Sequence, residues 1–502
     1  MPLHRLESLS TYYTHFRRRP PAGRRLAVCR DLSCHLAGAE AACERLRAAL
    51  AERDEAVEIE RVSCLGRCEQ APAAALGEQI VRSDRIEDVV RVLDGQSEPV
   101  DDRPAADWGE AKLYAGRGQH FSTLRAALDA DPAELARVLE EAALRGMGGA
   151  AFATGRKWSL VAAEPANPKF VICNADESEP GTFKDREILR DLPHLVLEGM
   201  ALAGWAIGAE RGIVFIRHEY APERRALERA IADARVDAAL GQDVFGRGFH
   251  FDVEVFVSPG GYILGEETAL LECLEDRRGE PRNKPPFPGT VGLFGQPTLI
   301  NNVETFVHAT GILARGAPWW RGLGEPGHAG HKFISVSGDV ERPGVYLVPF
   351  GTSIGGLLER CGGMRAGRRL GAIAPGGASS NFLPPDRLDV ALDFETLQQA
   401  GSMLGSGAVI FLADDHDLLE VGLNVARFFR NESCGKCVPC RVGSEKAVKL
   451  VEQAGVLSGK TLARVSELHA TLARTSICGL GQVALAPLLS LAEHYPDLMR
   501  GE

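Results

Sequence analysis

Eight of the chain's twelve cysteines fall into two sets of four, Cys29, Cys34, Cys64 and Cys68 near one end and Cys434, Cys437, Cys440 and Cys478 near the other. If either set acts together, the fold must bring Cys478 back to the loop that carries its three companions, and must set Cys64 and Cys68 beside Cys29 and Cys34. Twelve cysteines are too few for a disulfide-rich scaffold. The arginine-rich start (Arg17, Arg18, Arg19, Arg24, Arg25) is not followed by an apolar run, so no export signal is expected, and metal or redox chemistry outranks disulfides. In Glu432-Ser433-Cys434-Gly435-Lys436-Cys437-Val438-Pro439-Cys440-Arg441, three thiolates at two-residue spacing can converge on one centre. Cys478 completes the four ligands that a [4Fe–4S] cluster requires. Zinc is the rival, although Cys₄ zinc sites more usually carry paired CxxC knuckles. Cys29-x₄-Cys34 and Cys64-x₃-Cys68 lie after consecutive expected strands and could hold a [2Fe–2S] centre, again with zinc as competitor; a thioredoxin-like redox pair is disfavoured because no CxxC occurs there. The isolated Cys43, Cys173, Cys273 and Cys361 read as packing residues.

Lys+Arg 57 against Asp+Glu 68 gives a net charge of −11, which argues against a general binder of nucleic acid or of anionic membranes. No stretch reaches about 18 consecutive apolar residues, so no membrane span is expected. The default expectation is a cytoplasmic protein of about three or four domains. Residues 1–24 are basic, show no sustained period and read as a tail. Strand and helix patterns over 25–97 indicate a small α/β domain, and a Pro/Asp-containing linker follows over 98–107. From 110 to 330 apolar strands (Lys169–Cys173, Gly212–Ile216, Phe251–Val257) alternate with helices near 192–209 and 221–235. Short β runs occupy 331–400, and 401–502 reads as helical.

Three stretches in the long α/β region suggest a nucleotide site. Leu144-Arg145-Gly146-Met147-Gly148-Gly149-Ala150-Ala151-Phe152-Ala153-Thr154-Gly155-Arg156-Lys157-Trp158 joins a glycine-rich turn to two cations, a combination suited to phosphate but distinct from the dinucleotide fingerprint. Asn174-Ala175-Asp176-Glu177-Ser178-Glu179-Pro180-Gly181-Thr182 follows an apolar strand, where open α/β sheets bind ligands. Pro259-Gly260-Gly261-Tyr262-Ile263-Leu264-Gly265-Glu266-Glu267-Thr268 repeats that arrangement, and Asn301 and Asn302 add amides able to bond a heterocycle.

Together these segments resemble the NADH-binding flavoprotein subunit shared by respiratory complex I, NAD-linked formate dehydrogenases and NAD-reducing [NiFe] hydrogenases, over about residues 110–495. The preceding domain resembles the thioredoxin-like [2Fe–2S] module that is often a separate polypeptide, here fused and without the usual N-terminal helical bundle. The resemblance implies an α/β multidomain chain: a thioredoxin-like ferredoxin domain, a Rossmann-like FMN/NADH-binding domain, a ubiquitin-like (SLBB) insert and a helical [4Fe–4S] domain. It implies that Gly146, Gly148, Gly149, Lys157, Asn174, Asp176, Tyr262, Gly265, Glu266, Asn301 and Asn302 face FMN. Phe152, Glu179, Glu267, Lys284 and Phe287 would surround NADH, with Glu177 in the same cofactor-binding set, and the two cysteine sets would hold one [4Fe–4S] and one [2Fe–2S] cluster. It further implies NADH dehydrogenase (diaphorase) activity in either direction, and a partner oxidoreductase rich in iron–sulfur centres that could hold the chain peripherally at the inner face of a membrane. The loop departs from the family's usual Gly-Arg-Gly-Gly-Ala-Gly-Phe-Pro at Met147, Ala151 and Ala153.

Overall fold

The computed structural model describes residues 2–21, 23–51, 53, 56–96 and 119–497. The expected linker lies outside them. At the centre is a five-stranded sheet of order β7-β8-β6-β5-β9, formed by β5 (Phe170–Ala175), β6 (Arg211–Arg217), β7 (Gly241–Val244), β8 (Phe249–Ser258) and β9 (Thr298–Asn302). All pairings are parallel except β7 with β8. A parallel sheet is covered on both faces, and β5 and β6 are accordingly almost wholly buried. The covering helix Pro193–Ile207 is apolar on nearly every side; it starts with proline at its first turn and stops at Gly208 in the left-handed region (φ 73°). Gly199 lets it cross closely over helix Val303–Arg315, because a Cβ there would lie 2.5 Å from the Phe306 carbonyl oxygen. Since β6 and β9 lie on opposite sides of β5, the chain leaves β5 and β9 at a point where the strand order reverses, and the region beyond Asn174 and Asn302 is the crevice position at which open α/β sheets bind ligands.

The N-terminal domain is a second sheet, β2-β1-β3-β4, of β1 (Arg24–Cys29), β2 (Val57–Val62), β3 (Ala73–Leu76) and β4 (Gln79–Arg82). Strands β1 and β2 are parallel and the other pairs antiparallel, and helices Ala39–Leu50 and Ile86–Leu93 close a core containing Leu26, Val28, Cys43 and Leu46. Cys173, Cys273 and Cys361 are likewise buried core residues. The N-terminal arm departs from the expected tail. Leu3–Tyr12 is helical, Tyr13 is buried, and the two tyrosine hydroxyls donate to the carbonyls of Gly279 (2.8 Å, from Tyr12) and Arg277 (2.7 Å, from Tyr13). These distant acceptors, rather than local periodicity, order the arm.

The insert carries sheet β11-β10-β13-β12, of β10 (His331–Gly338), β11 (Gly344–Pro349), β12 (Leu370–Ala374) and β13 (Ala408–Ala413). Strand β13 is a correction to the expectation that everything beyond 401 is helical. It lies between β10 and β12 with all six residues buried, so the insert's sheet takes one of its two inner strands from past residue 400. Helices Leu418–Asn431, Val438–Ala454, Gly459–Thr475, Gly479–Val483 and Ala486–His494 complete the chain. Among the described residues no helix is long and apolar enough to cross a membrane.

Candidate functional site: a nucleotide crevice between two thiol clusters

Cys29 ends β1, Cys34 lies in the short helix Leu32–Leu36, and Cys64 and Cys68 follow β2, so the strand-to-loop turns of two neighbouring strands present four buried thiols together. Cys64 Sγ and Cys68 Sγ are 3.5 Å apart. Backbone N–H groups point at three of the sulfurs: Ala73 to Cys34 (3.3 Å), Gly66 to Cys64 (3.4 Å) and Gly181 to Cys68 (3.2 Å). Thiols ringed by N–H donors fit a centre whose sulfurs carry negative charge. The neighbouring thiols and burial hold Cys29 and Cys68 well above the ordinary thiol range.

In the second set, Gly435 takes φ 80° between Cys434 and Cys437, and Arg441 donates across the loop to the Gly435 carbonyl (2.6 Å). Cys437 occupies the position before helix Val438–Ala454 and Cys478 the position before helix Gly479–Val483. Gly481 is what lets Cys478 approach, because a Cβ there would lie 2.9 Å from Cys440 Cβ. Burial pushes Cys440 up to about 12 and Cys478 to about 11. Among the described residues no three or more His, Cys, Asp or Glu side chains are gathered as a single metal ion requires.

The glycine-rich loop is clamped at its base by Gly146 N–H to the Phe152 carbonyl (2.8 Å) and Thr154 N–H to the Leu144 carbonyl (2.8 Å). Met147, where the resembled family has arginine, is buried, and its N–H donates to Thr305 Oγ1 (2.9 Å). A Cβ on Gly148 would press on Asn302 Cβ at 3.1 Å. Ala151 sits at φ 53°, a conformation that suits the glycine of the usual loop. Ala151→Gly is therefore expected to raise the midpoint of thermal unfolding, by about 0.5–1 kcal/mol in stability, with calorimetry of parent and variant as the check; an unchanged or lower midpoint contradicts the strain. Helix Thr154–Ala163 starts without a side-chain cap, which leaves its end suited to an anion. Lys157 reaches the Ile300 carbonyl (3.0 Å), and burial lowers its pKa.

At the carboxyl end of β5, Asn174 donates to the Gly265 carbonyl (2.9 Å), tying the strand to the second glycine loop. Asp176 accepts from Ser178 Oγ (2.8 Å) and Ser258 Oγ (3.3 Å), and burial raises its pKa to about 7. The Glu177 carboxylate accepts Asp185 N–H (2.9 Å), Arg186 N–H (3.1 Å) and the Tyr220 hydroxyl (3.1 Å), and so caps helix Lys184–Asp191. Glu179 accepts both the N–H (2.9 Å) and hydroxyl (2.5 Å) of Ser379. Glu266 caps helix Glu267–Leu274 through Thr268 and Ala269 N–H (2.9 Å each), while Lys284 pairs with Glu266 (2.8 Å) and Glu267 (2.7 Å). Asn302 is held by Asp185 (2.6 Å) and Lys184 (3.3 Å). Asn301 Oδ1 is buried without a hydrogen-bond partner, an acceptor that a ligand's N–H would satisfy. Phe152 and Phe287 are exposed at 44% and 58%, which leaves their rings free to stack on a planar nucleotide. Tyr262 instead directs its ring to Phe428 and Phe429, with centroids 5.1 and 6.1 Å away.

Glu432 is a residue for which the sequence offers no signal beyond its adjacency to Cys434. It accepts Tyr262 N–H (2.8 Å) and Ser63 Oγ (2.5 Å), and so joins the crevice domain, the second thiol loop and the neighbour of Cys64. Lys436 secures the same loop to the Pro281 carbonyl (2.6 Å).

Residues 139–310 match the family described as the Nuo51 FMN-binding domain. Residues 420–501 match the NADH-ubiquinone oxidoreductase-F iron-sulfur binding region, 1–97 the thioredoxin-like [2Fe-2S] ferredoxin, and 333–379 the SLBB domain. The NADH-quinone oxidoreductase F 2 subunit of Rhizobium meliloti is 43% identical over 382 residues, 75% of this chain and 91% of the relative. HndC, an NADP-reducing hydrogenase subunit of Solidesulfovibrio fructosivorans, is 39% identical over 382 residues, 75% and 77% of the two chains. A chain of the NAD⁺-reducing [NiFe]-hydrogenase, solved in its H₂-reduced state, superimposes with a TM-score of 0.88 at 33% identity, covering 99% of this chain and 87% of that one. With an FMN-binding domain, an iron–sulfur region and an SLBB domain in the family's order behind a fused [2Fe–2S] domain, the chain belongs to the family of NADH-quinone oxidoreductase F subunits, the flavoprotein NADH dehydrogenases.

Proposed function

We propose that the chain is the diaphorase module of a multi-subunit oxidoreductase, exchanging hydride between NAD(H) and FMN and relaying single electrons through its [4Fe–4S] and [2Fe–2S] centres to or from a partner oxidoreductase. The observation that carries this reading is that both thiol loops are hydrogen-bonded to the domain holding the glycine-rich crevice, by Gly181 to Cys68 and by Lys436 to Pro281. FMN, when bound, supplies a ring able to take a hydride and to release its electrons one at a time. The chain supplies position. Gly146, Gly148 and Gly149 let the backbone approach the flavin, Asn301 offers it a buried acceptor, and the end of helix Thr154–Ala163 with Lys157 offers positive potential. Phe152 and Phe287 would stack on the nicotinamide nucleotide, with Glu179, Glu267 and Lys284 around it. No proton-transfer base is needed for hydride transfer.

The partner we favour is a hydrogenase or formate dehydrogenase type rather than a quinone-reducing membrane arm. The fused N-terminal domain is included in the 99% coverage by the NAD⁺-reducing hydrogenase chain, whereas the Rhizobium meliloti relative aligns with only 75% of this chain. Such a module would act in the cytoplasm, or peripherally at a membrane through its partners. Affinity purification of the chain from its own cells tests this: a molybdenum, tungsten or [NiFe] protein should co-purify, and recovery of quinone-reducing membrane proteins instead contradicts it.

Coenzyme choice follows from the Glu267–Lys284 pair. Glu267 would accept the adenosine ribose hydroxyls and repel a 2′-phosphate. Because Lys284 is shared between Glu267 (2.7 Å) and Glu266 (2.8 Å), Glu267→Gln also removes one of its two carboxylate partners and leaves more of its charge for a 2′-phosphate. The ratio of kcat/KM for NADPH over NADH is expected to rise at least about tenfold, equivalent to about 1.4 kcal/mol, at unchanged flavin and iron content. Steady-state assays with both nucleotides check this, and a ratio held at the parent's value places discrimination elsewhere.

A further inference from the structure

Cys64 and Cys68 also reach a neighbouring domain. Together with Phe183, a crevice-domain residue that is fully buried, they form a separate apolar cluster, against which Val345 of β11 is packed. Gly181, two residues before Phe183, donates its N–H to Cys68 Sγ at 3.2 Å, shorter than the contacts that Ala73 and Gly66 make to thiols of their own domain. Gly181 holds φ 96°, and a Cβ there would lie 2.6 Å from Ile410 Cδ1, so its approach to the sulfur is fixed by packing. Arg217, at the end of β6 and 2% exposed, is ion-paired with Glu219 (2.8 Å) and donates to the Cys64 carbonyl (2.6 Å) and to the Glu177 carbonyl (2.5 Å), so removing its charge would leave the Glu219 carboxylate uncompensated near Cys64, while Arg186 donates to the Gly66 carbonyl (2.7 Å). The crevice domain thus presents one N–H to a ligand sulfur and one buried guanidinium to the backbone of its neighbouring ligand.

Building on the [2Fe–2S] assignment, we propose that the FMN-binding domain sets the reduction potential of the N-terminal centre, through Gly181 on Cys68 and the charge of Arg217 beside Cys64, and that both act as positioning and tuning residues that raise it. Reduction adds one electron, and the added negative charge rests partly on the cysteine sulfurs; hydrogen bonds to those sulfurs and a positive charge held out of water favour the reduced form. The fused arrangement is then more than tethering. The flavin-bearing domain decides how readily the attached centre accepts an electron.

The test is an EPR-monitored redox titration of the full chain, with the C-terminal centre as internal reference. Arg217→Gln should shift the [2Fe–2S] reduction equilibrium about tenfold toward the oxidised form, about 59 mV for a one-electron couple, while Arg217→Lys, which keeps the charge, should stay near the parent. Gly181→Ala, which must push the loop off Ile410 and lengthen its bond to Cys68, should move the midpoint the same way by a few-fold. Should Arg217→Gln lose its [2Fe–2S] signal altogether, Gly181→Ala decides. Parent midpoints in Gly181→Ala and in any signal-bearing Arg217→Gln overturn the proposal. A parent chain with about four irons and no [2Fe–2S] signal overturns the cluster assignment beneath it, a failure distinguishable from an unmoved midpoint.

Discussion

Replacing Cys437 with Ser is expected to remove about four of about six irons per chain and the EPR signal of the C-terminal centre, while the N-terminal signal survives. Cys437 is half-buried at the head of helix Val438–Ala454, on the same loop as Cys434 and Cys440, whereas the N-terminal thiols are buried in a different domain around β1 and β2. A hydroxyl is a poor substitute for a soft thiolate ligand. The crevice is built from other elements, so flavin content and NADH-dependent flavin reduction should persist while onward transfer to the partner stops. Iron analysis with EPR of the purified variant checks this. Loss of both signals from a chain that still folds contradicts two independent sites.

Glu304→Gln is expected to destabilise the crevice domain by about 3–5 kcal/mol. The Glu304 carboxylate is fully buried, lies 2.9 Å from Lys184 Nζ, is also paired with Lys332, and accepts Phe333 N–H at 2.9 Å and a contact from His308 at 3.3 Å. Burial alone would raise its pKa, but the two ammonium groups outweigh burial and hold it far below the usual carboxylate range. A neutral amide would leave Lys332 buried without its carboxylate partner and Lys184 with Asp185 alone. Because the folded pKa is depressed, the stabilisation is fully present above the unfolded value of 4.5 and is lost as pH falls below it. Thermal unfolding followed across pH should therefore show a large gap between parent and variant near neutrality that narrows below about pH 4.5. A small gap at neutral pH, or one that widens on acidification, contradicts this account. The network joins helix Lys184–Asp191, β10 and Asn302, so its loss should also loosen the crevice floor.

The central sheet was legible because parallel strands buried on both faces read as unbroken apolar runs. Arg211–Arg217 and Phe249–Ser258 contain the expected strands, and Phe170–Ala175 begins one residue and ends two residues after its expected run, whereas the shorter β7 and β9 were not expected. The two cysteine sets pointed to two metal-cluster regions, and residues 1–97 and 420–501 match iron–sulfur families. Strand β13 was not, because Ala-Val-Ile-Phe-Leu-Ala is apolar throughout and without periodicity a buried strand cannot be told from a buried helix. Helix Leu3–Tyr12 was hidden because no residue of it is buried and its anchors, Gly279 and Arg277, are remote in sequence. The acids of the candidate site divide for the same reason: from sequence Glu177 and Glu179 are equivalent, and only the placement of helix Lys184–Asp191 and of Ser379 separates a helix cap from an acid bonded to the insert. Glu432 and Arg217 join domains far apart in the chain, information that no local pattern holds.

The central claim, that NAD(H) and FMN meet in this crevice and feed the clusters, is most directly tested by anaerobic titration of the purified, FMN-loaded chain with NADH. The flavin absorbance near about 450 nm should bleach at about one NADH per flavin, followed by the EPR signal of the C-terminal centre. Failure of NADH to bleach the flavin, in a chain whose clusters are still reduced by dithionite, would contradict it.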